Sequence, residues 1–392
     1  MLEHKKKKTK GIKAIFTDAS KTRSTTNKKE IAQIVGNFQA NLATRKKESH
    51  FDEDFHKGTL DELKGIKAQL RDIGSTDSIT RGEVKEALRA IRFGKAAGVD
   101  AILPEAIKCG KDSTVAMVTD LFNYAYQRKV SIDSWRKAMV VMLYKADDRK
   151  DPGNYRGISL HSFLGKLYTV VLNNKLNKTL ETKQAIHTNQ NGFRKPVKDE
   201  DGVPLPGCGN RGTQDHLYTF SERLHYYKYV EKKPTHMFFL DFSKAFDRCD
   251  HDALFVKLHR MGIDNRLLGA IMRMYENMTA QVTVNGHKSK PFDLKVGTAQ
   301  GCPISPTLFN VYINDLVEEL SNQGANVKCQ AYADDIVVTT DNKNTLQNLI
   351  NICHRWTEKW RMAANVKKCA VMTIQPRGSG NGNADPGNVE AL

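Results

Sequence analysis

The chain has 392 residues and a formal net charge of +17, from 61 Lys and Arg against 44 Asp and Glu. That balance points to a polyanionic partner, and nucleic acid fits better than a membrane, because no apolar run approaches the ~18 to 20 residues needed to span a bilayer. No secretory signal is visible, because the N-terminus is Lys-rich with no apolar core behind it; seven dispersed cysteines without a CxxC pair argue against a structural zinc, suit a reducing nuclear or cytoplasmic setting and lead us to expect no disulfide-linked partner.

The basic cluster His4-Lys5-Lys6-Lys7-Lys8-Thr9-Lys10 reads as a solvated end, with a nuclear-import or nucleic-acid patch as the other reading. Asn27-x-x-Glu30 precedes Ile31, Ile34, Val35, Phe38 and Leu42, which predicts a capped amphipathic helix. Residues 1–78 are otherwise charged and weakly patterned, and read as a basic, partly disordered linker. Thr80-x-x-Glu83 is a capping box followed by Val84, Leu88 and Ile91 at helical spacing, with Gly94 expected to end the helix. A Gly/Pro-rich stretch within 197–213 reads as a surface insertion loop.

The apolar run Met237 to Leu240 predicts a buried strand that delivers Asp241 at its end, either to cap the next helix or to hold a cation. Asp247-Arg248-Cys249-Asp250-His251-Asp252 could be a metal cluster, but it reads better as the cap of a helix starting near Asp252. Gln281 to Gly286 contains an Asn-Gly turn signal and predicts a hairpin. Gly297 to Asn310 turns sharply and enters a helix, with Ser305 as N-cap and Pro306 at the first helical position. Val327–Ala331 and Ile336–Thr339 read as short strands flanking Tyr332-Ala333-Asp334-Asp335. Two adjacent carboxylates at a hairpin tip repel each other and are comfortable beside a divalent cation, although an ordinary turn is the plainer reading. Leu346, Leu349, Cys353, Trp356 and Trp360 form one helix stripe and read as core. Residues 375–392 carry no core pattern and read as a disordered tail.

The order of these segments resembles a reverse transcriptase, specifically that of non-long-terminal-repeat, LINE-type retrotransposons. The aspartate strand at Asp241, the Gln300-Gly301 loop and the Tyr-Ala-Asp-Asp hairpin carry it. Gly94 to Asp100, Trp135 to Lys145, Asn154 to Leu160 and Gln190-Asn191-Gly192-Phe193-Arg194 follow the family's order. The resemblance covers about 79–374, with 136–374 as the polymerase unit. It implies an α+β right-hand polymerase fold with helical, loop-rich fingers over 79–235 and a ferredoxin-like palm over 236–374. Nothing after Ile374 resembles a thumb, so the chain reads as fingers and palm of a larger element protein.

The resemblance also implies a site. Asp241, Asp334 and Asp335 would be catalytic. With the backbone carbonyl of Phe242, they would hold two Mg2+ ions, for which Mn2+ could substitute. One ion would activate the primer 3′-hydroxyl and the other would steady the triphosphate. Lys145 and Arg156 would contact the incoming triphosphate, and Gln300 and Gly301 would line the nucleotide pocket. Phe246 would sit under the sugar and exclude a 2′-hydroxyl. Lys367 or its neighbour Lys368 would help protonate pyrophosphate. The implied partners are an RNA template, a DNA primer or target and dNTPs. The competing readings are a catalytically weak nucleic-acid-binding fragment, which would not incorporate dNTP, and an RNA-directed RNA polymerase, against which Phe246 argues.

Overall fold

The computed structural model describes residues 11–45, 48–70, 77–92, 94, 98–128, 130–194, 196 and 212–376. The expected basic terminus, most of the 197–213 insertion and nearly all of the 375–392 tail lie outside them.

The N-terminal part packs. A small hairpin, β1 (Ile15–Phe16) and β2 (Ser24–Thr25), leads into α1 (Lys28–Leu42), where the Asn27 side chain accepts from the N–H groups of Lys29 and Glu30. Ile12, Ile15, Ile31 and Val35 are buried together with Val140 and Val282 in a second, smaller core. Next, α2 (Glu53–Gln69) is capped by Asp52 and buries Leu63 and Ile66 in the main core. The expectation of a linker through residue 78 is therefore corrected. Its apolar residues are few, and salt bridges hold much of it in place: Arg45 to Asp250 and Asp252, Glu53 to Arg361, and Glu62 to Arg260. Charge pairs with distant partners leave no periodic signature in a sequence.

The Thr80–Glu83 capping box is present at the start of α3 (Arg81–Ala90), whose Val84, Ala87 and Leu88 are buried. The helix closes at Ile91, before Gly94; Gly94 lies beyond it at φ +72° and its N–H donates to Glu105 Oε1. Two more helices follow, α4 (Pro104–Lys108) and α5 (Asp112–Gln127). Strands β3 (Lys137–Tyr144) and β4 (Tyr155–His161) form an antiparallel hairpin, and α6 (Phe163–Thr182), capped by Ser162, is buried along most of its length. Then α7 (Thr213–His225) continues as a π-helical stretch, Tyr226–Glu231, and touches the next sheet through Phe220 against Phe239.

That sheet is the centre of the molecule. Strand β5 (Thr235–Leu240) is followed by α8 (Ala245–Arg248), α9 (His251–Arg260) and α10 (Asn265–Tyr275). A side sheet intervenes: β6 (Thr279–Val284) lies parallel to β3, and β7 (His287–Lys288) and β8 (Phe292–Asp293) pair with it. The Asn285–Gly286 hairpin is as expected, with both residues at positive φ. Helix α11 (Ser305–Ser321), the β9 (Lys328–Tyr332) and β10 (Asp335–Thr340) hairpin, α12 (Lys343–Trp360) and β11 (Ala370–Ile374) complete the chain. The sheet order is β11-β5-β10-β9, all antiparallel, which is the arrangement of a ferredoxin-like βαββαβ unit. Phe238, Leu240, Ile336 and Val338 alternate toward the main core, where Trp356 and Trp360 are buried as expected.

Ser305 is a correction. It is the first residue of α11 rather than its cap, and its hydroxyl donates to Ala299 O at 2.8 Å. The tight turn before the helix uses the hydroxyl that a cap would need. Among the described residues, no helix is long and apolar enough to cross a membrane.

Candidate active site

A cleft of about 1090 Å³ opens over the end of the central sheet. Asp241, one residue past β5, is held from below. Its carbonyl accepts from Asn365 N at 2.7 Å, and its Oδ2 accepts from Asn365 Nδ2 at 2.9 Å. The neighbouring strand pairs Ile336 with Leu240, so one step further along the ladder sets Asp335 across from Asp241. Asp334 occupies the turn between them, following Ala333 at φ +55°. Asp241, Asp334 and Asp335 all line the cleft.

Burial, then the charges of Asp335 and Asp241, push the Asp334 carboxyl up; Arg156 acts the other way. Asp247 is also pushed up by burial, while Gln300 Nε2 donates to its Oδ1 at 3.1 Å. Carboxylates held together against their repulsion are what a cation would relieve. Among the described residues no three His, Cys, Asp or Glu groups are gathered tightly enough to enclose an ion alone.

A stability prediction follows from Asp334. Its pKa is raised on folding, so the carboxylate destabilises the metal-free fold above the raised pKa. That penalty fades as pH falls toward 3.8, the ordinary value for the group. Asp334→Asn should therefore melt a few degrees higher than the wild type at pH 7 without metal, and the gap should close on acidification. A variant that melts lower at pH 7 would contradict the repulsion.

The remaining wall comes from three directions. Lys145 and Arg156 rise from the β3–β4 hairpin, where Lys145 N donates to Asn154 O at 2.9 Å and Arg156 pairs across from Leu143. Gln300 O accepts from Ser159 N at 2.8 Å, which ties the Gln300-Gly301 loop to β4. Gly301 has φ +102°, and a Cβ there would stand 3.0 Å from Ser159 O, so only glycine allows this approach. The Phe246 ring stacks on Phe309 at 4.5 Å between centroids and also lines the cleft. Phe242 is buried with its ring against Trp356 and is among the residues that line the cleft.

Of the two lysines left open, Lys367 and Lys368, one reaches the cleft. Lys368 stands on the cleft wall, and Lys367 does not. Four residues at the cleft were not predicted as site residues of it, although Asp247 was weighed as part of a metal cluster. Asn365 braces Asp241. Asp247 joins the Asp241 loop to Gln300. Gln39 and Arg45, from the region taken for a linker, complete the wall. The amphipathic pattern of 27–42 was the one available signal for a folded N-terminal part. The Asp247–Asp252 cluster resolves as capping: Asp250 accepts from the N–H groups of Asp252 and Ala253, and α9 starts at His251.

A family model described as "Reverse transcriptase (RNA-dependent DNA polymerase)" matches residues 145–388. The chain belongs to the reverse transcriptase family. It is 27% identical over 316 residues to the RNA-directed DNA polymerase from mobile element jockey of Drosophila melanogaster, covering 76% of this chain and 32% of that protein. It is 25% identical over 309 residues to the Pol polyprotein of the type-2 retrotransposable element R2DM of the same species, covering 77% and 27%. The chain thus spans about a third of the length of the curated relatives it matches, 32% for jockey. The LINE-type relationship expected from motif order is borne out by these relatives. Among solved structures, apo telomerase from Candida tropicalis truncated from its C-terminal domain aligns with a TM-score of 0.46 at 14% identity, over 72% of this chain and 62% of that one. In this reverse transcriptase, the carboxylates of the motifs stand at the hairpin and at the strand end of the four-stranded sheet.

Proposed function

We propose that this reverse transcriptase domain is the RNA-directed DNA polymerase of a LINE-type retroelement, adding dNTPs to a primer 3′-hydroxyl on an RNA template. The observation that carries the reading is the convergence of Asp241, Asp334 and Asp335 on one cleft that also holds Lys145 and Arg156. Two Mg2+ ions, or Mn2+ in their place, bound by Asp241, Asp334, Asp335 and the Phe242 carbonyl, would supply charge neutralisation to both the attacking and leaving oxygens. Lys145 and Arg156 bind the triphosphate from the hairpin side. The Gln300-Gly301 loop forms a close-fitting floor, and Asn365 keeps Asp241 oriented. Fixed cations and carboxylates act by positioning and charge complementarity, which is what phosphoryl transfer chiefly needs. In this reading 79–235 serves as fingers and 236–374 as palm, and the protein acts in the nucleus or cytoplasm.

Extension of a DNA primer on an RNA template with Mg2+ and dNTPs tests the proposal. Soluble, duplex-binding protein that never extends the primer would favour the binding-fragment reading. Phe246 tests the choice of sugar. Phe246→Val should lower the preference for dNTP over rNTP in kcat/KM by roughly 10- to 100-fold, the scale of a few methylene contacts. Valine keeps part of the packing on Phe309, so folding should survive. An unchanged preference would remove Phe246 from the sugar pocket.

A further inference from the structure

The turn that presents Asp334 is held by a segment far away in sequence. Gln190 is 1% exposed, and its side-chain amide meets Ala333 from both sides. Its Oε1 accepts from Ala333 N at 2.9 Å and from Gly192 N at 2.8 Å, and its Nε2 donates to Ala333 O at 3.3 Å. Ala333 has φ +55°, a left-handed conformation that alanine seldom adopts unaided. Backbone bonds run alongside: Asn191 N to Ala331 O at 2.8 Å and Ala331 N to Asn189 O at 2.9 Å. A Cβ on Gly192 would stand 2.4 Å from Ala333 N, so the two backbones touch.

This segment is itself anchored. Asn310 Nδ2 donates to Gly192 O at 2.7 Å. The Arg194 guanidinium grips Glu181 of α6 through both carboxylate oxygens, at 2.8 and 2.5 Å, with both side chains buried. The 190–194 segment is therefore fixed to α6 at Arg194 and to α11 at Gly192, and it grips the residue before Asp334 through Gln190. Buried amides held at every polar atom fix geometry, and a displaced donor or acceptor is costly there.

We propose that Gln190 is the positioning residue of the Asp334 turn. It holds Ala333 in the left-handed conformation and thereby sets where the Asp334 carboxylate stands relative to Asp241. Gln190 does not line the cleft and reaches no reacting atom; it acts through Ala333. The inference rests on the polymerase reading for its kinetic consequence, but the state of the turn can be measured without polymerisation.

The test uses Gln190→Met, which keeps length and removes the amide, and Gly192→Ala, which keeps Gln190 and pushes on Ala333 from the other side. Asn342→Ala is the control. Asn342 caps α12 by accepting from Asn344 N and Thr345 N, at the far end of β10, so its loss loosens the palm without touching the turn. Hydrogen exchange over 332–335 should accelerate about tenfold or more in both turn variants and stay at the wild-type rate in the control. The Mn2+ concentration that half-saturates the protein, followed by the loss of free Mn2+ resonance, should rise about tenfold in the same two variants. Primer extension should fall roughly a hundredfold, as for a small misplacement of a reacting group. If Gln190→Met does not fold, Gly192→Ala decides by the same readouts. Turn exchange and Mn2+ binding that match the Asn342→Ala control would overturn the proposal and leave Gln190 as packing. If the wild type extends no primer, the polymerase reading fails, and accelerated turn exchange would still uphold the brace.

Discussion

Asp334→Asn is expected to lower metal-dependent primer extension by roughly a thousandfold or more, the scale set by removing a charge aimed at a transition state. Asparagine keeps the volume of the side chain, so the turn and the hairpin have no reason to rearrange. It also relieves the repulsion from Asp335 and Asp241, so the loss of activity should come with unchanged or higher melting temperature. That pairing separates a chemical role from a folding role. Asp241→Asn should behave similarly in rate, although it also alters the bond from Asn365 Nδ2. Asp335 is exposed at the strand start and should tolerate substitution better. Single-turnover extension measured beside thermal melting checks all three. An Asp334→Asn enzyme within tenfold of the wild type would dismiss the hairpin as the reaction centre.

The second large effect is on stability. Lys257 is 5% exposed and lies under three aromatic rings, with its Nζ 3.7 Å from the Trp360 centroid and 4.9 Å from those of Trp356 and Tyr312. It donates to Tyr312 O at 2.5 Å and Asp315 Oδ1 at 2.7 Å. Burial pushes the ammonium from 10.5 down to about 8. The folded state therefore releases this proton before the unfolded state does. The buried charge is a full penalty below pH 8, and that penalty falls as pH rises toward 10.5. Removing Asp315 leaves the buried charge with only the Tyr312 carbonyl and the three ring faces. Asp315→Ala should cost about 1–3 kcal/mol at pH 7, less than a fully buried pair because the Asp315 side chain is 40% exposed, and lower the melting temperature by a few degrees. Part of that loss is independent of pH, because Asp315 also accepts from Trp356 Nε1 at 3.0 Å. The rest should shrink at pH 9.5, where the lysine escapes by losing its proton. Lys257→Met, which replaces the ion with a flexible apolar chain, should be near neutral at pH 7 and should flatten the pH dependence. Urea melts of the three proteins at both pH values check this. An Asp315→Ala loss of equal size at pH 7 and 9.5 would show that Lys257 carries no buried charge.

The N-terminal helices add a practical point. Arg45 pairs with Asp250 and Asp252, the residues that start α9, and Arg248 pairs with Glu48. The N-terminal region is thus tied to α8, α9 and the cleft wall. A polymerase trimmed to 136–374 would lose those partners and uncover the face of the side sheet on which Ile31 and Val35 lie.

Several features of this protein were legible because they are decided within a few residues. The Asn27 cap, the Thr80–Glu83 box and the Asn285–Gly286 turn depend on local backbone geometry, and all three are present. The Met237–Leu240 strand, the Tyr-Ala-Asp-Asp hairpin and the Trp356–Trp360 stripe follow from apolar periodicity, which burial enforces. The order of motifs was enough for the family. What lay beyond the sequence are partnerships between distant segments. Only the fold sets Asp335 across from Asp241, lets Asn365 brace Asp241, and brings Lys368 rather than Lys367 to the cleft. Ser305 had a preference for capping, but the turn just before the helix folds back so that Ala299 O takes its hydroxyl. Outside the amphipathic pattern of 27–42, residues 11–70 read as a linker, because ion pairs with distant segments help hold them down and leave no periodic signature. Caps, turns and periodicity are short-range and written in neighbouring letters. Hydrogen bonds and ion pairs across the cleft depend on which surfaces meet, and that is settled when the chain packs.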